Sequence, residues 1–192
     1  MKLLIINGSP REHGNIARML EVIKEEAEAD GALTTYVQIS SLRVEPCKGC
    51  MSCRKNKDCA LPLDDAPWVI QQLHDCDVLV IGAPCYWGNM PGQLKVLFDR
   101  IVYGLIGEDK RGLPVPLHKG KKAMVVSTCT TPYPFNILFH QSRGTVRALK
   151  EILRWSGFKP IRIVERGSTR YRTVGDKEFR RCRETIRKML NR

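Results

Sequence analysis

Long hydrophobic runs are missing from this 192-residue sequence, in which no apolar stretch approaches the roughly 18 residues that a membrane span needs. The first apolar stretch carries one lysine and is broken at Gly8-Ser9-Pro10, so it does not match a secretory signal peptide. Internal repeats and low-complexity tracts are also missing. With 43% hydrophobic and 27% charged residues, the composition predicts one globular domain that works in the cytoplasm.

Complete phosphate-binding motifs are missing as well. Only Gly8 and Gly14 remain of the three glycines in the dinucleotide fingerprint, and the Gly-Lys-Ser/Thr of the Walker A motif does not occur. The order of elements is still that of a phosphate site, because residues 2–7 predict a strand, residues 8–14 a loop, and the apolar spacing from Asn15 a helix. Such a loop offers unpaired N–H groups and the positive end of a helix dipole to an anion.

Three side chains in and beside this loop can bind phosphate directly. Ser9 contributes a hydroxyl, Arg11 a guanidinium and Asn15 an amide. The alternative is an ordinary strand-to-helix turn in which Asn15 caps the helix. The loop is therefore a candidate phosphate site whose assignment depends on the rest of the chain.

Strand and helix patterns alternate along the sequence. The predicted strands after the first are Thr34–Ile39, Asp77–Ala83, Lys122–Ser127 and Pro160–Val164. Helices are predicted at about residues 15–29, 64–73, 91–103, 145–155 and 176–190, with Asp64-Asp65 and Asp176 as helix caps. This alternation predicts the α/β class, with a five-stranded parallel sheet, helices on both faces and right-handed crossovers.

Three loops with functional character follow the first, third and fourth predicted strands, at residues 8–14, 84–89 and 128–132. Because the carboxyl ends of parallel strands meet at one edge, these loops should converge near the topological switch point, where such folds bind ligands. Tyr86 and Trp87 would then present an aromatic surface to a planar ring. The alternative is that both side chains anchor the core or a subunit interface.

Positive charge is unevenly distributed. The formal net charge is +12, and residues 143–192 contain sixteen Lys and Arg against five Asp and Glu. A basic region can recognise nucleic acid, an acidic protein or a phosphate-bearing small molecule. Since no known nucleic-acid module is present, a solvated arginine-rich helix face or a nucleotide-phosphate role is preferred over nucleic acid.

Eight cysteines are many for a cytoplasmic protein, in which disulfides rarely persist. Four of them form C-x2-C-x2-C-x5-C within an irregular insertion at about residues 45–63, namely Cys47, Cys50, Cys53 and Cys59. Four thiolates in a short loop suit an iron-sulfur cluster and also zinc, while a loop of free or oxidised thiols without metal is the third interpretation. The other four, Cys76, Cys85, Cys129 and Cys182, are predicted to be buried apolar side chains.

The sequence resembles the flavodoxin-like NAD(P)H-dependent FMN reductases, including their iron-sulfur flavoprotein branch. The resemblance covers nearly the whole chain and rests on motifs in four places: Gly8-Ser9-Pro10-Arg11 with Gly14-Asn15, Pro84-Cys85-Tyr86-Trp87-Gly88, Gly92-Gln93-Leu94-Lys95 with Phe98-Asp99-Arg100, and the cysteine segment followed by Asp64-Asp65. It implies strand order 2-1-3-4-5 in one flavodoxin-like FMN-binding domain over residues 1–192. Lys95, Asp99 and Arg100 are interpreted as an ion-paired helix face.

An FMN site built from the three loops is also implied by the resemblance. Ser9, Arg11 and Asn15, with the amides of Gly14 and Ile16, would hold the FMN phosphate. Two further groups would contact the flavin: Pro84, Cys85, Tyr86, Trp87, Gly88 and Asn89 line one side, and Thr128, Cys129 and Thr130 approach the ring system. The family usually carries Ser or Thr after Gly-Asn, whereas this chain has Ile16, so one hydroxyl ligand of the phosphate is lost.

Two functions follow from the resemblance. The first is an enzyme in which NAD(P)H reduces FMN, and the flavin passes electrons to a small acceptor or a partner. The second is an electron carrier in which the four clustered cysteines hold a 4Fe-4S cluster that a ferredoxin-like acidic protein supplies with electrons, attracted by the basic C-terminal region. A homodimer or tetramer with the flavin near the interface is expected, and nucleic-acid binding is a third hypothesis.

Overall fold

Five parallel strands form the central sheet of the protein. The structure is a computed structural model that describes residues 1–191. The strands of the chain are β1 (Lys2–Asn7), β2 (Leu33–Gln38), β3 (Val78–Pro84), β4 (Ile106–Glu108), β5 (Pro114–Pro116), β6 (Lys122–Thr128) and β7 (Ile161–Arg166). The sheet has the order β2-β1-β3-β6-β7, so the predicted order of the five main strands is confirmed. The fold is flavodoxin-like α/β.

Helices lie on both faces of this sheet. They are α1 (Asn15–Ala29), α2 (Ser52–Asn56), α3 (Ala66–Asp75), α4 (Gly92–Arg100), α5 (Val102–Leu105), α6 (Phe135–Leu138), α7 (Gln141–Ser156) and α8 (Asp176–Leu190). No helix in the described part of the chain is both long and apolar enough to cross a membrane.

Alternation along the strands produces two apolar cores, one on each face of the sheet. Leu4 and Ile6 of β1 point to the face that α3, α4 and α7 cover. Leu3 and Ile5 point to the opposite face, which α1 and α8 cover. A strand with apolar side chains on both faces must lie inside a parallel sheet, which explains the uninterrupted hydrophobic runs of β1 and β3.

A small antiparallel hairpin interrupts the connection at residues 104–120, where no strand was predicted. β4 pairs with β5 through Ile106 and Pro116, and only three residues of each strand take part. The predicted helix at residues 91–103 also divides into α4 and α5. Gly104 follows this break and packs closely on Ile70, whose side chain would overlap an added methyl group. These features depend on long-range packing, which local periodicity does not report.

The two aspartates predicted to cap α3 have a different role. Asp65 is the residue that precedes α3, and its side chain makes no capping hydrogen bond, so the predicted side-chain cap is not formed. Asp64 accepts a hydrogen bond from the Ala66 N–H at 2.9 Å, just before the first turn. The same carboxylate also accepts the Glu45 N–H at 3.0 Å, and Asp65 accepts the Arg43 N–H at 2.6 Å. Both aspartates therefore fix the chain that leads into the cysteine segment against the start of α3.

The first turn of α7 packs directly on the loop that follows β3. At Gly144 a side-chain methyl group would overlap the carbonyl group of Gly88. One residue later, the Thr145 hydroxyl donates a hydrogen bond to the Asn89 carbonyl at 2.8 Å. A glycine at this point lets the helix approach the loop closely enough to hold its shape.

His118 is a fully buried titratable residue between the hairpin and β6. Its Nε2 lies 2.9 Å from the Gly104 carbonyl oxygen, and its ring stacks on Phe158 with centroids 5.0 Å apart. Burial lowers the pKa of His118 from its usual 6.5 to about 4, although the hydrogen bond to Gly104 acts in the opposite direction. The folded protein therefore keeps this imidazole neutral at pH values where an unfolded chain would protonate it.

Acidification should destabilise the protein through His118. As the pH falls from 6.5 towards 4, the unfolded chain gains a proton that the folded chain does not, so the free energy of unfolding falls by roughly 2 to 3 kcal/mol. We expect His118→Gln to flatten this pH dependence in urea denaturation between neutral and mildly acidic pH. His13→Gln, which alters an exposed histidine, should keep the wild-type slope, and an unchanged slope in the His118 variant would contradict the assignment.

Gly144→Ala should destabilise the protein although alanine favours helices. Overpacking of this kind costs about 1 to 3 kcal/mol, against about 1 kcal/mol of helix propensity gained. Gly92→Ala is the matched control, because a methyl group there would meet no atom within 4 Å. Thermal unfolding should give a lower midpoint for the Gly144 variant and an equal or higher one for the Gly92 variant. The opposite order would show that α7 can move away from the loop at no cost.

Candidate functional site

The three loops predicted to converge lie side by side at the carboxyl edge of the sheet. The Gly8 N–H donates to the Gly82 carbonyl at 2.7 Å, which joins the loop after β1 to β3. The Cys85 N–H donates to the Thr128 carbonyl at 2.8 Å, which joins the loop after β3 to β6. The predicted convergence is therefore confirmed, and the loops form one continuous edge.

A network of side chains that sequence reasoning missed shapes the loop after β1. Buried Asn7 accepts the Ser9 N–H at 3.0 Å and donates to Gln38 at 2.7 Å. Gln38 in turn donates to the Ser9 carbonyl at 2.7 Å, and the Ser9 hydroxyl accepts the Arg11 N–H at 3.1 Å. Polar Asn7 at the end of an apolar strand was a usable signal, whereas Gln38 on a neighbouring strand was not.

α1 begins at this loop without a side-chain cap. Gly14, and not Asn15, is the residue that precedes the first helical turn, so the expectation that Asn15 caps the helix is wrong. The Asn15 side chain instead accepts the Val174 N–H at 3.4 Å. Because no side chain caps α1, the N–H groups of its first turn have no partner within the helix and suit an anion.

Ile16 differs from the other candidate residues of the loop because its side chain is buried. It is 2% exposed and packs on Gly82, where an added methyl group would overlap it. Its side chain therefore belongs to the core that α1 covers. Its backbone N–H is the group that Ile16 can offer to a phosphate.

The loop after β3 ends in a tight turn that exposes two aromatic side chains. Tyr86 and Asn89 exchange backbone hydrogen bonds at 2.8 and 3.0 Å, and the residues between them, Trp87 and Gly88, have φ values of 53° and 70°. Trp87 is fully exposed and Tyr86 is 43% exposed, so the interpretation of these rings as core anchors is wrong. A left-handed conformation is unusual for tryptophan, and here it keeps the indole at the tip of the turn.

Pro84 and Cys85 fix the start of this loop to neighbouring elements. Pro84 ends β3 in register with Thr128 of β6. Cys85 is half-buried, and its thiol donates to the Gln141 carbonyl at 2.9 Å, which joins the loop to α7. The Cys85 side chain is therefore a structural contact in addition to a candidate flavin contact.

The loop after β6 places its three candidate residues differently. Thr128 and Cys129 are buried, whereas Thr130 is exposed at the edge. The Cys129 carbonyl accepts both the N–H and the hydroxyl of Thr169, at 3.0 and 2.9 Å. Burial raises the pKa of the Cys129 thiol, so this cysteine packs as a neutral group.

A second polar network, also missed by sequence reasoning, lies behind this loop. Ser142 donates to the Glu165 carboxylate and accepts a hydrogen bond from the Asn136 amide at 3.1 Å. These residues come from α7, β7 and α6, and they carry no shared sequence motif. Their hydrogen bonds connect the start of α7 to the end of β7 at the same edge of the sheet.

The four clustered cysteines lie in a different place. Cys47, Cys50, Cys53 and Cys59 all line a cavity of about 740 Å³, whose other walls come from the ends of α4 and α7, from α5 and from the hairpin. α7 contacts the β3 loop at Gly144 and this cavity at Trp155, so the two sites are separated by roughly 16 Å along the helix. Within one chain, the four cysteines are therefore not adjacent to the candidate flavin residues.

The four thiols of the cavity are soft ligands, which suit iron-sulfur clusters and zinc. The thiol charges of Cys59, Cys47 and Cys50 each act to raise the pKa of Cys53, together with burial, which is the largest cause. Within residues 1–191, no group of three or more His, Cys, Asp or Glu side chains is arranged to hold a metal ion. The donor set nevertheless fits an iron-sulfur cluster in number and type, and its four members share one cavity.

The other four cysteines are less exposed than Cys47 and Cys50. Cys76 and Cys182 lie in the apolar cores, where burial raises the pKa of their thiols to about 11 and about 12. Cys129 is buried and Cys85 half-buried. The prediction of buried apolar cysteines is confirmed for three of these four.

Arg100, interpreted above as part of an ion-paired helix face, is instead buried beside the cysteine cavity. Lys95 and Asp99 do form an exposed pair at 2.6 Å. The Arg100 side chain is only 1% exposed and lies 3.4 Å from the Asp64 carboxylate. Arg100 therefore does not belong to the exposed face of α4, and it forms part of the cavity wall.

Relatives of known type match parts of the chain. An iron-sulfur flavoprotein of Methanosarcina thermophila is 39% identical over 102 residues, which are 53% of this chain and 53% of that protein. One of Archaeoglobus fulgidus is 41% identical over 100 residues, which are 52% of this chain and 48% of that protein. The chain thus spans about half the length of these curated relatives. An FMN-dependent NADH:quinone oxidoreductase of Stenotrophomonas maltophilia is 30% identical over 132 residues, 67% of this chain and 66% of that protein.

Solved structures share the fold over almost the whole chain. An FMN-dependent NADH-azoreductase of Bacillus anthracis in complex with FMN has a TM-score of 0.76 at 16% identity, covering 99% of both chains. An NAD(P)H:quinone oxidoreductase of Methanothermobacter marburgensis has a TM-score of 0.75 at 19% identity, covering 100% of this chain and 96% of that one. These identities support the fold alone. The sequence profile of the NADPH-dependent FMN reductase family matches residues 1–162, and the chain belongs to that family.

Proposed function

We propose that the protein is an FMN-dependent oxidoreductase that passes electrons from NAD(P)H through bound flavin to a small acceptor or a partner. The observation that carries this proposal is the joined edge formed by the loops after β1, β3 and β6, with an uncapped helix at one end and exposed aromatic rings beside it. Membership of the NADPH-dependent FMN reductase family supports the same cofactor and electron donor.

The phosphate of FMN would bind at the start of α1. The first-turn N–H groups supply hydrogen bonds and the positive end of the helix dipole, and the exposed Arg11 guanidinium adds a full charge. Asn7 and Gln38 hold the loop in shape before the ligand arrives, because both bond to Ser9. Ser9 itself is 4% exposed and bonded to Arg11, so its hydroxyl mainly supports the loop.

The flavin ring would lie along the outer edge of the two other loops. Tyr86 and Trp87 offer apolar ring faces, and the exposed Thr130 offers a hydroxyl. Bound FMN supplies the redox chemistry by accepting a hydride equivalent from NAD(P)H and releasing electrons to an acceptor. The protein contributes orientation and exclusion of water. The exposed rings of Trp87, Tyr133 and Phe139 suit a homodimer that covers this edge.

Arg11→Gln should weaken FMN binding by about tenfold, which corresponds to about 1.4 kcal/mol, because a charge-assisted contact to phosphate is removed. The affinity is measured by titrating apoprotein with FMN and following the quenching of flavin fluorescence. Riboflavin, which lacks the phosphate, should bind the variant and the wild type equally.

Two controls accompany this titration. Arg18→Gln removes another exposed arginine, one that lies over the Phe179 ring, and should leave FMN affinity unchanged. Anaerobic NADPH or NADH should bleach the flavin absorption of the wild-type complex. Failure of the wild type to bind FMN, or of both nicotinamide nucleotides to reduce it, would refute the proposed function.

The second candidate function is an electron carrier with a 4Fe-4S cluster at Cys47, Cys50, Cys53 and Cys59. The observation that favours it is the cavity that all four cysteines line, and two of the relatives named above are iron-sulfur flavoproteins. A bound cluster would exchange single electrons with a partner. Lys48 and Lys57 line the same cavity and give a ferredoxin-like acidic protein a positive charge to approach, whereas Arg54 is paired with Glu108 at 3.2 Å.

Anaerobically purified protein should contain about four irons per chain if the cavity holds this cluster. Cys53→Ser should lose most of this iron, while Cys182→Ser, which changes a core cysteine, should retain it. The measurement is iron and zinc analysis together with the absorption spectrum of the same sample. Zinc in place of iron, or no metal, would refute the electron carrier and leave the FMN oxidoreductase intact.

A further inference from the structure

Arg100 combines deep burial with incomplete hydrogen bonding. The residue is 2% exposed, and among the described residues its Nε and Nη1 atoms have no hydrogen-bond partner. Only Nη2 has partners, the Pro62 carbonyl at 3.3 Å and the Asp64 carboxylate at 3.4 Å. A buried guanidinium normally bonds through most of its nitrogens, because each buried N–H without an acceptor costs free energy.

Asp64 does not satisfy Arg100 by itself. One of its oxygens accepts the Ala66 N–H at 2.9 Å, and the other accepts the Glu45 N–H at 3.0 Å while it lies near Nη2. A bidentate pair, the strong arrangement of arginine and carboxylate, is therefore not formed. Asp64 therefore compensates the guanidinium charge only in part.

Arg100 forms part of a wall of the cysteine cavity, although its Nε and Nη1 atoms are themselves buried. Arg100 lines that cavity together with all four clustered cysteines. Tyr103, which follows Arg100 by three residues, lines the same wall. A buried positive charge and four thiolate ligands thus share one space.

We propose that Arg100 is the buried counter-charge of the four-cysteine cavity, with Asp64 partly offsetting it, and that the two residues set the reduction potential of an anionic cluster bound there. This inference rests on the iron-sulfur site proposed above. Four thiolates make such a cluster negatively charged, and each electron that it accepts adds negative charge. A nearby buried cation stabilises the reduced form, whereas a buried carboxylate destabilises it, since charge and hydrogen bonding both tune cluster potentials.

The two residues should therefore shift the potential in opposite directions. Arg100→Gln should make the cluster potential more negative. Asp64→Asn leaves the Arg100 charge uncompensated and should make it less negative, while the amide oxygen can still accept a backbone N–H. The experiment is a redox titration of the reconstituted protein, followed by electron paramagnetic resonance of the reduced cluster. A purely structural role would lower cluster content in both variants without this opposed pair of shifts.

Lys95→Gln is the matched control, because Lys95 lies on the same helix and carries the same charge but is half exposed and paired with Asp99. Its shift should be smaller than that of Arg100→Gln, since solvent screens exposed charges. If the Arg100→Gln variant does not fold, the Asp64→Asn variant tests the inference by itself. A cluster potential in that variant that is equal to or more negative than the wild-type potential overturns the inference. A wild-type protein that assembles no cluster refutes the iron-sulfur proposal itself, whereas a cluster with equal potentials in all variants refutes only the role of Arg100.

Discussion

Strands buried on both faces impose the arrangement of the functional residues. β1, β3 and β6 carry apolar side chains towards both helical layers, so these strands can contribute polar groups to a site only at their ends. Their last backbone groups still need partners, and they find them in the neighbouring loops through Gly8 with Gly82 and Cys85 with Thr128. The same bonds that satisfy the strand ends therefore align the candidate flavin loops into one edge.

Helices α4 and α7 give the molecule two distinct chemical regions. At their N-terminal ends, Gly92 follows the β3 loop and Gly144 packs against it. At their C-terminal ends, Arg100 and Trp155 line the cysteine cavity. The candidate flavin edge is exposed, aromatic and built on backbone donors, whereas the cavity is lined by thiols beside a buried charge. The separation along α7 keeps the two regions apart within one chain.

Local patterns predicted the regular elements well. β1, α1 and α8 have the predicted bounds because their apolar spacing is clear. The prediction that Asp176 caps the last helix is wrong, since Gly175 precedes α8 and Asp176 is its first residue. The start of α7 at Gln141 was predicted four residues too late, since its first turn is stabilised by contacts with the β3 loop. The hairpin and the burial of His118 had no local signal either, because both depend on packing between distant segments.

The amino-acid pattern alone was sufficient to predict the α/β class, the candidate phosphate loop and the set of four cysteines. The strand order was predicted from the resemblance of the sequence to a known family. Periodicity and motif spacing report such features because they are local. Tertiary structure decided that Asn7 and Gln38 shape the loop, that Ile16 faces the core, and that the cysteines line a cavity beside Arg100. Burial and interaction partners depend on where residues lie in three dimensions. Residues far apart in the chain, such as Asp64 and Arg100, become neighbours only when the chain folds.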